Sequence, residues 1–170
     1  GADSPPPPVL VGLSEILIGI KHLKKGKSSA LDAISNDILH CSAKTGAASV
    51  IQAIFNNLIK FQFFPIQWAT GIIVPLHKNG EVDDPNNYRG ITLNSCISKL
   101  FTLLLNNRLT LWCEERGIIS YNQIGFRKGF RTSDHVFTLK TLIDDSFKNK
   151  QKLYACFVDF KKAYDTVWRK

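Results

Sequence analysis

The sequence predicts an α+β chain, on three observations. Apolar residues recur at helical steps of three and four over several stretches. Two β-branched runs, at 70–76 and 88–93, flank a polar turn as the strands of a hairpin would. A third run, the aromatic and β-branched segment from Tyr154 to Val158, is short, strand-like and ends on Asp159. At 170 residues, with 44% hydrophobic and 21% charged residues, the composition is that of a globular domain with a sizeable core.

Net charge is +8, which favours a polyanionic partner such as nucleic acid. The cysteines, at 41, 96, 113 and 156, have no paired spacing; they indicate neither a zinc site nor a disulfide framework and read as free thiols in a reducing compartment. The histidines, at 22, 40, 77 and 135, are not spaced as a metal set, and neither a Ser-His-Asp arrangement nor a Gly-rich phosphate loop occurs. No uninterrupted apolar run approaches the roughly 20 residues a membrane helix needs, and no charged-then-apolar leader opens the chain. The expectation is a soluble, intracellular protein of cytoplasm and nucleus with no membrane partner. The sequence has no Met and stops inside the segment that follows Asp159, as a fragment would.

In chain order, Ser4 and the four prolines after it favour an extended tail, because proline cannot join a helix interior or a central strand. A helix is expected from Ser14, with Ile16, Leu17, Ile20 and Leu23 on one face. Lys21, Lys24, Lys25 and Lys27 crowd its end, either as solvated cations suited to the helix dipole or as contacts to a nucleic-acid backbone. After the break at 26–29, Ser35 caps a short helix carrying Ile34, Ile38 and Leu39. A longer helix runs over 46–60 on Val50, Ile51, Ile54, Phe55, Leu58 and Ile59, all expected in the core. Pro65 breaks an aromatic turn before the hairpin of 70–93, whose tip is polar and acidic. Ser95 opens a long amphipathic helix through Ile97, Leu100, Phe101, Leu104, Leu105 and Leu109 that stops at Gly117. A basic loop, 123–131, leads to a helix capped by Thr132 or Ser133, with Val136, Phe137, Leu139, Leu142, Ile143 and Phe147 on one face.

Three places carry chemistry. Lys78 and Arg89 flank the hairpin tip, where paired strands would project them toward one spot; alternatively they are two solvated cations. Arg127, Lys128 and Arg131 precede a helix start, so cations and free helix N–H groups would meet there as an anion site. Gly125 and Gly129 would allow a strand to approach the backbone, and Phe126 could stack a base; the plainer reading is a solvated basic lead-in to a capped helix. Asp159 stands where a strand ends and a helix begins. There it is either a helix N-cap or a hard oxygen ligand placed on a strand end.

The words around these residues add a resemblance. Phe157-Val-Asp159-Phe160-Lys-Lys-Ala-Tyr164-Asp165-Thr-Val resembles the first catalytic motif of reverse transcriptases from non-LTR (LINE-type) retrotransposons. Trp68-Ala-Thr-Gly-Ile-Ile-Val-Pro-Leu-His-Lys78-Asn-Gly and Asn87-Tyr-Arg89-Gly-Ile-Thr-Leu are similar to the fingers motifs of that family, and Gln123-Ile-Gly125-Phe126-Arg127-Lys128-Gly-Phe-Arg131-Thr-Ser-Asp134 to its next block. The motifs stand in the family's order. Gly90 follows Arg89 where proline is more usual, Ala30-Leu31-Asp32 stands where Gly-x-Asp is commoner, and the second catalytic motif, x-Asp-Asp, lies outside this chain.

The resemblance implies the fingers and the opening of the palm of a right-hand polymerase: a Pro-rich linker at 1–12, fingers at 13–130 and the start of the palm at 131–170. It implies RNA-directed DNA synthesis by two-Mg²⁺ nucleotidyl transfer, with deoxynucleoside triphosphates as substrates and an RNA template and DNA primer as partners. Asp159 would be the catalytic carboxylate and a metal ligand together with the backbone carbonyl of Phe160. Lys78 and Arg89 would grip the triphosphate, and Tyr164 would lie under the sugar of the incoming nucleotide. Gln123, Gly125, Phe126, Arg127, Lys128 and Arg131 would contact nucleic acid. The chain alone, with half of the carboxylates, is expected to be inactive. Two other readings stay open: a non-catalytic nucleic-acid-binding remnant of a retroelement, and a small basic scaffold whose Asp159 is a cap.

Overall fold

The computed structural model describes residues 9–160 and Ala163. The proline tail, Tyr164 and Asp165 lie outside the described residues. The chain divides into two compact units, Gly1–Ile118 and Ile119–Lys170.

The first unit is a helical core with a projecting hairpin. α1 (Leu13–His22), α2 (Asn36–Thr45) and α3 (Ala48–Phe61) pack on one another, and α1 also packs on α5 (Cys96–Glu115). The contacts follow from spacing. Ile16 and Ile20 of α1, Leu39 of α2, Ile51 and Phe55 of α3, and Leu100, Phe101 and Leu104 of α5 are buried in one cluster. Phe55 is fully buried and meets the rings of Phe101 and Trp68 edge-on, with centroids 5.0 and 6.1 Å away. Such a ring contributes on the order of 2–3 kcal/mol through burial and ~1 more through each favourable ring pair. Trp68 sits on the short helix α4 (Ile66–Ala69), entered through Pro65.

Local signals set the helix ends where they were expected. The Ser35 hydroxyl accepts from the Ile38 N–H at 3.4 Å, and Ser95 from the Ser98 N–H at 3.3 Å. Gly117, at φ +60°, lets the chain leave α5 in the left-handed region. Two helix faces are less buried than their periodicity implies. Val50 and Ile54 of α3, and Leu105 and Leu109 of α5, are 41–60% exposed, because helical spacing marks a stripe wider than the neighbours in this unit cover.

β1 (Ile72–His77) and β2 (Tyr88–Leu93) pair antiparallel, Ile72 opposite Leu93 and His77 opposite Tyr88. They form the sole sheet among the described residues. The tip between them is stitched rather than loose. Asn87 Nδ2 donates to the Glu81 carbonyl at 2.9 Å, the Tyr88 hydroxyl to the Val82 carbonyl at 2.9 Å, and the Asn86 N–H to Asp84 Oδ1 at 2.9 Å. Gly80, at φ +83°, supplies the left-handed step, and a Cβ there would press on the Asn87 amide.

The second unit holds one long helix, α6 (Thr132–Lys148), with the basic loop before it and an extended segment after it. Its start corrects the expected cap. Thr132 and Ser133 lie inside the first turn, and Asp134 reaches back so that its Oδ2 accepts the Arg131 N–H at 2.7 Å. α6 buries none of its residues: Val136, Phe137 and Phe147 are 67–79% exposed.

A further expectation fails here. Residues 151–160 form no strand, and Tyr154, Phe157, Val158 and Phe160 are 76–86% exposed. The residues suit a strand, but backbone N–H and C=O groups make a strand only by pairing, and among the described residues this unit holds no second strand.

Candidate nucleotide and nucleic-acid sites

The hairpin carries the first site. Arg89 is paired with Leu76, and the Lys78 N–H donates to the Asn87 carbonyl at 2.8 Å, which continues the ladder one step past His77. Partners across the ladder share a face, as do residues two apart, so Lys78 and Arg89 stand on one face as a diagonal pair, within reach of each other for long side chains. The same face holds Ile72, Val74, Leu76, Ile91 and Leu93. The result is an apolar strip that ends in two exposed cations. Among the described residues neither cation forms an ion pair, so the Arg89 fork and the Lys78 ammonium are free to take the oxygens of an anion such as a triphosphate.

The stitching of the tip is what positions this pair. Asn87, Tyr88, Val82 and Asp84 carry it, and no motif in the sequence gives them this role. The Asn-rich stretch before Tyr88 was the available signal, since Asn and Asp close turns through their own side chains.

The basic loop is the second site, and its cations differ in what they can do. Arg127 Nη1 donates to the carbonyls of Ser120 and Gln123, at 3.2 Å each, and its guanidinium lies 4.8 Å from the centre of the Phe130 ring. That residue therefore shapes the loop. Lys128 and Arg131 are exposed beside it, at the start of α6. Phe126 is 96% exposed and sits at φ +61°, a conformation that costs a residue with a side chain roughly 1–2 kcal/mol. Such an aromatic platform, held out by its backbone, is suited to stacking on a base. Gln123 and Gly125 are exposed, and nothing stands within 4 Å of the position a Cβ would take at Gly125.

Asp159 is an exposed carboxylate on the extended segment, adjacent to the Phe160 carbonyl. Hard oxygen donors of this kind suit Mg²⁺. Two donors fall short of the coordination set, however, and no group of three or more His, Cys, Asp or Glu side chains among the described residues could hold a metal ion. Asp159 thus fits part of a metal site, and the described residues do not complete one. No helix among them is long and apolar enough to cross a membrane.

The chain belongs to the reverse transcriptase (RNA-dependent DNA polymerase) family, whose model matches residues 76–170, more than half of its length and the part that carries Lys78, Arg89, the basic loop and Asp159. It is similar to a probable RNA-directed DNA polymerase from transposon BS of Drosophila melanogaster, 36% identical over 159 residues, and to one from transposon X-element of the same species, 32% identical over 155 residues. The RNA-directed DNA polymerase from mobile element jockey of Drosophila melanogaster is 26% identical over 159 residues. These alignments cover 91–93% of this chain and 17% of each relative. The chain spans about a sixth of the length of the relatives it matches.

Proposed function

We propose that this chain is the fingers and the opening of the palm of a LINE-type RNA-directed DNA polymerase, with fingers at 13–130 and palm from 131. The observation that carries the reading is the diagonal pairing of Lys78 and Arg89 on one face of a stitched hairpin, within a segment that matches the reverse transcriptase family. In this reading the two cations hold the triphosphate of an incoming deoxynucleotide, and Arg89 grips it through two parallel hydrogen bonds. Tyr164 limits the space beside the sugar, where a ribose 2′-hydroxyl would collide. Phe126 stacks on the template, and Gln123, Gly125, Arg127, Lys128 and Arg131 form the surface along which its backbone runs.

Asp159, with the Phe160 carbonyl, would hold Mg²⁺ jointly with carboxylates from elsewhere in the polymerase. Bound there, the metal pair would activate the primer 3′-hydroxyl and neutralise charge at the α-phosphate. The unpaired strand-like segment at 154–158 supports this assignment. It is built to enter a sheet, and sheet pairing would fix the Asp159 carboxylate on a rigid strand end.

The test is primer extension on an RNA template. A chimera in which this chain replaces the matched segment of the transposon BS polymerase is expected to synthesise DNA, the 170-residue chain alone to make none, and the chimera with Asp159→Asn to be inactive. Full activity of the Asp159→Asn chimera would make Asp159 a cap and not a ligand. Binding of RNA by a chimera that never extends a primer, with the parent polymerase active, would favour the non-catalytic remnant.

A further inference from the structure

The end of α1 carries Lys21, and the turn after it carries Lys24, Lys25 and Lys27, all exposed. Lysines at a helix C-terminus commonly serve the helix itself by capping its last carbonyls. Here carbonyls near the helix end and in the turn have other partners. His22 Nδ1 bonds the Ile18 carbonyl at 2.8 Å, and the Leu23 N–H bonds that of Ile20 at 3.1 Å. From α2, His40 Nε2 bonds the Leu23 carbonyl at 2.8 Å, and the buried Asn36 amide bonds that of Lys24 at 2.7 Å.

The turn is fixed at a third point, where the Gly26 N–H donates to Asp37 Oδ2 at 3.1 Å while Gly26 holds φ +65°. Three side chains of α2 thus hold the backbone of the lysine turn, and among the described residues none of the four ammonium groups forms an ion pair. A lysine run that only kept the chain soluble would need no such anchoring.

We infer that the anchored turn at 21–27 is a binding site for the phosphate backbone of a nucleic-acid strand. Ammonium groups are compact point charges with no planar fork, so the site would read charge and spacing and not base sequence. That the polyanion is nucleic acid rests on the proposed function.

The experiment measures binding of the 170-residue chain to a single-stranded RNA oligonucleotide as a function of salt. For a single strand, removing one lysine–phosphate pairing makes the slope of log K against log salt shallower by about 0.7. Replacing Lys21, Lys24, Lys25 and Lys27 together by Gln is expected to make it shallower by roughly 2–3. The same charge removal at Lys44, Lys60, Lys148 and Lys150 is expected to leave the slope nearly unchanged. Equal effects from the two sets, or none from the first, would overturn the site while leaving RNA binding elsewhere on the chain intact. No RNA binding by the unaltered chain would overturn both the site and the reading it rests on.

A second variant separates position from charge. Asp37→Ala with His40→Ala removes two anchors and makes the chain more positive, so a site built on placement should bind RNA severalfold more weakly. Tighter binding by this variant, with its melting temperature near that of the parent, would show a diffuse charge effect and overturn the inference. Loss of binding to anionic phosphatidylserine vesicles in the first lysine variant, with RNA binding unchanged, would do the same and assign the turn to a membrane surface.

Discussion

The Arg108 guanidinium grips both carboxylate oxygens of Glu15, Nε to Oε1 at 2.8 Å and Nη2 to Oε2 at 2.7 Å, and so ties the C-terminal half of α5 to the first turn of α1. Its remaining donors reach the carbonyls of Val9 and Leu10 at 2.9 and 2.8 Å. One side chain therefore holds α1 and the segment before it. The hydrogen bond from Arg108 keeps the Glu15 carboxyl below its ordinary value of 4.5, helped by the Gly12 N–H and opposed by burial. A lowered folded-state pKa makes the contribution full above the unfolded value and lost as pH falls through the folded one. Glu15→Gln should then cost about 1–2 kcal/mol at pH 7, a figure reduced because both side chains are about a third exposed. The difference from the parent in urea unfolding should shrink as pH drops below about 4.5. A difference that stays constant down to pH 3 would assign the cost to packing instead of charge.

Gly19 is buried where α1 crosses α5, and a Cβ there would fall 2.8 Å from Leu100 Cδ1 and 2.9 Å from Leu104 Cδ2. Gly19→Ala gains about 1 kcal/mol of helix propensity but overpacks the crossing by about 1–3 kcal/mol. The net expectation is a loss on the order of 1 kcal/mol, read as a lower urea midpoint with an unchanged m-value. Because the leucine side chain is the obstacle, Leu104→Ala should make Gly19→Ala less costly, a coupling that a double-mutant cycle measures.

Phe126→Gly separates stability from binding at one position. The ring is almost wholly exposed and its backbone is left-handed, so glycine removes strain of roughly 1–2 kcal/mol against a similar or smaller entropic loss. Stability should stay level or rise. Affinity for single-stranded RNA should fall by about 1–3 kcal/mol if the ring stacks on a base. Unchanged affinity in the folded variant would leave Phe126 without the stacking role.

In the active chimera, Arg89→Ala should raise the KM for nucleotide and lower kcat while template affinity stays nearly intact, since the cation is assigned to the triphosphate. Steady-state kinetics beside a template-binding titration decide it. An equal loss of template binding would make Arg89 a contact to the nucleic-acid backbone.

By itself the sequence determined what depends on near neighbours along the chain. Ser35, Ser95 and Gly117 mark helix ends because caps and left-handed exits act within one turn, and the hairpin is readable from two β-branched runs around a polar tip. The family was legible as well, because the segments around Lys78, Arg89, Phe126 and Asp159 are contiguous words.

Tertiary structure decided what depends on partners distant in sequence. It selected which part of each apolar stripe is covered, burying Phe55 and Leu104 while leaving Ile54 and Leu109 exposed. It gave the Leu23 and Lys24 carbonyls, just past α1, to His40 and Asn36 of α2. It also left Tyr154 to Val158 unpaired, for a strand-forming sequence specifies a face and a period, whereas the strand itself exists only where another strand accepts its hydrogen bonds.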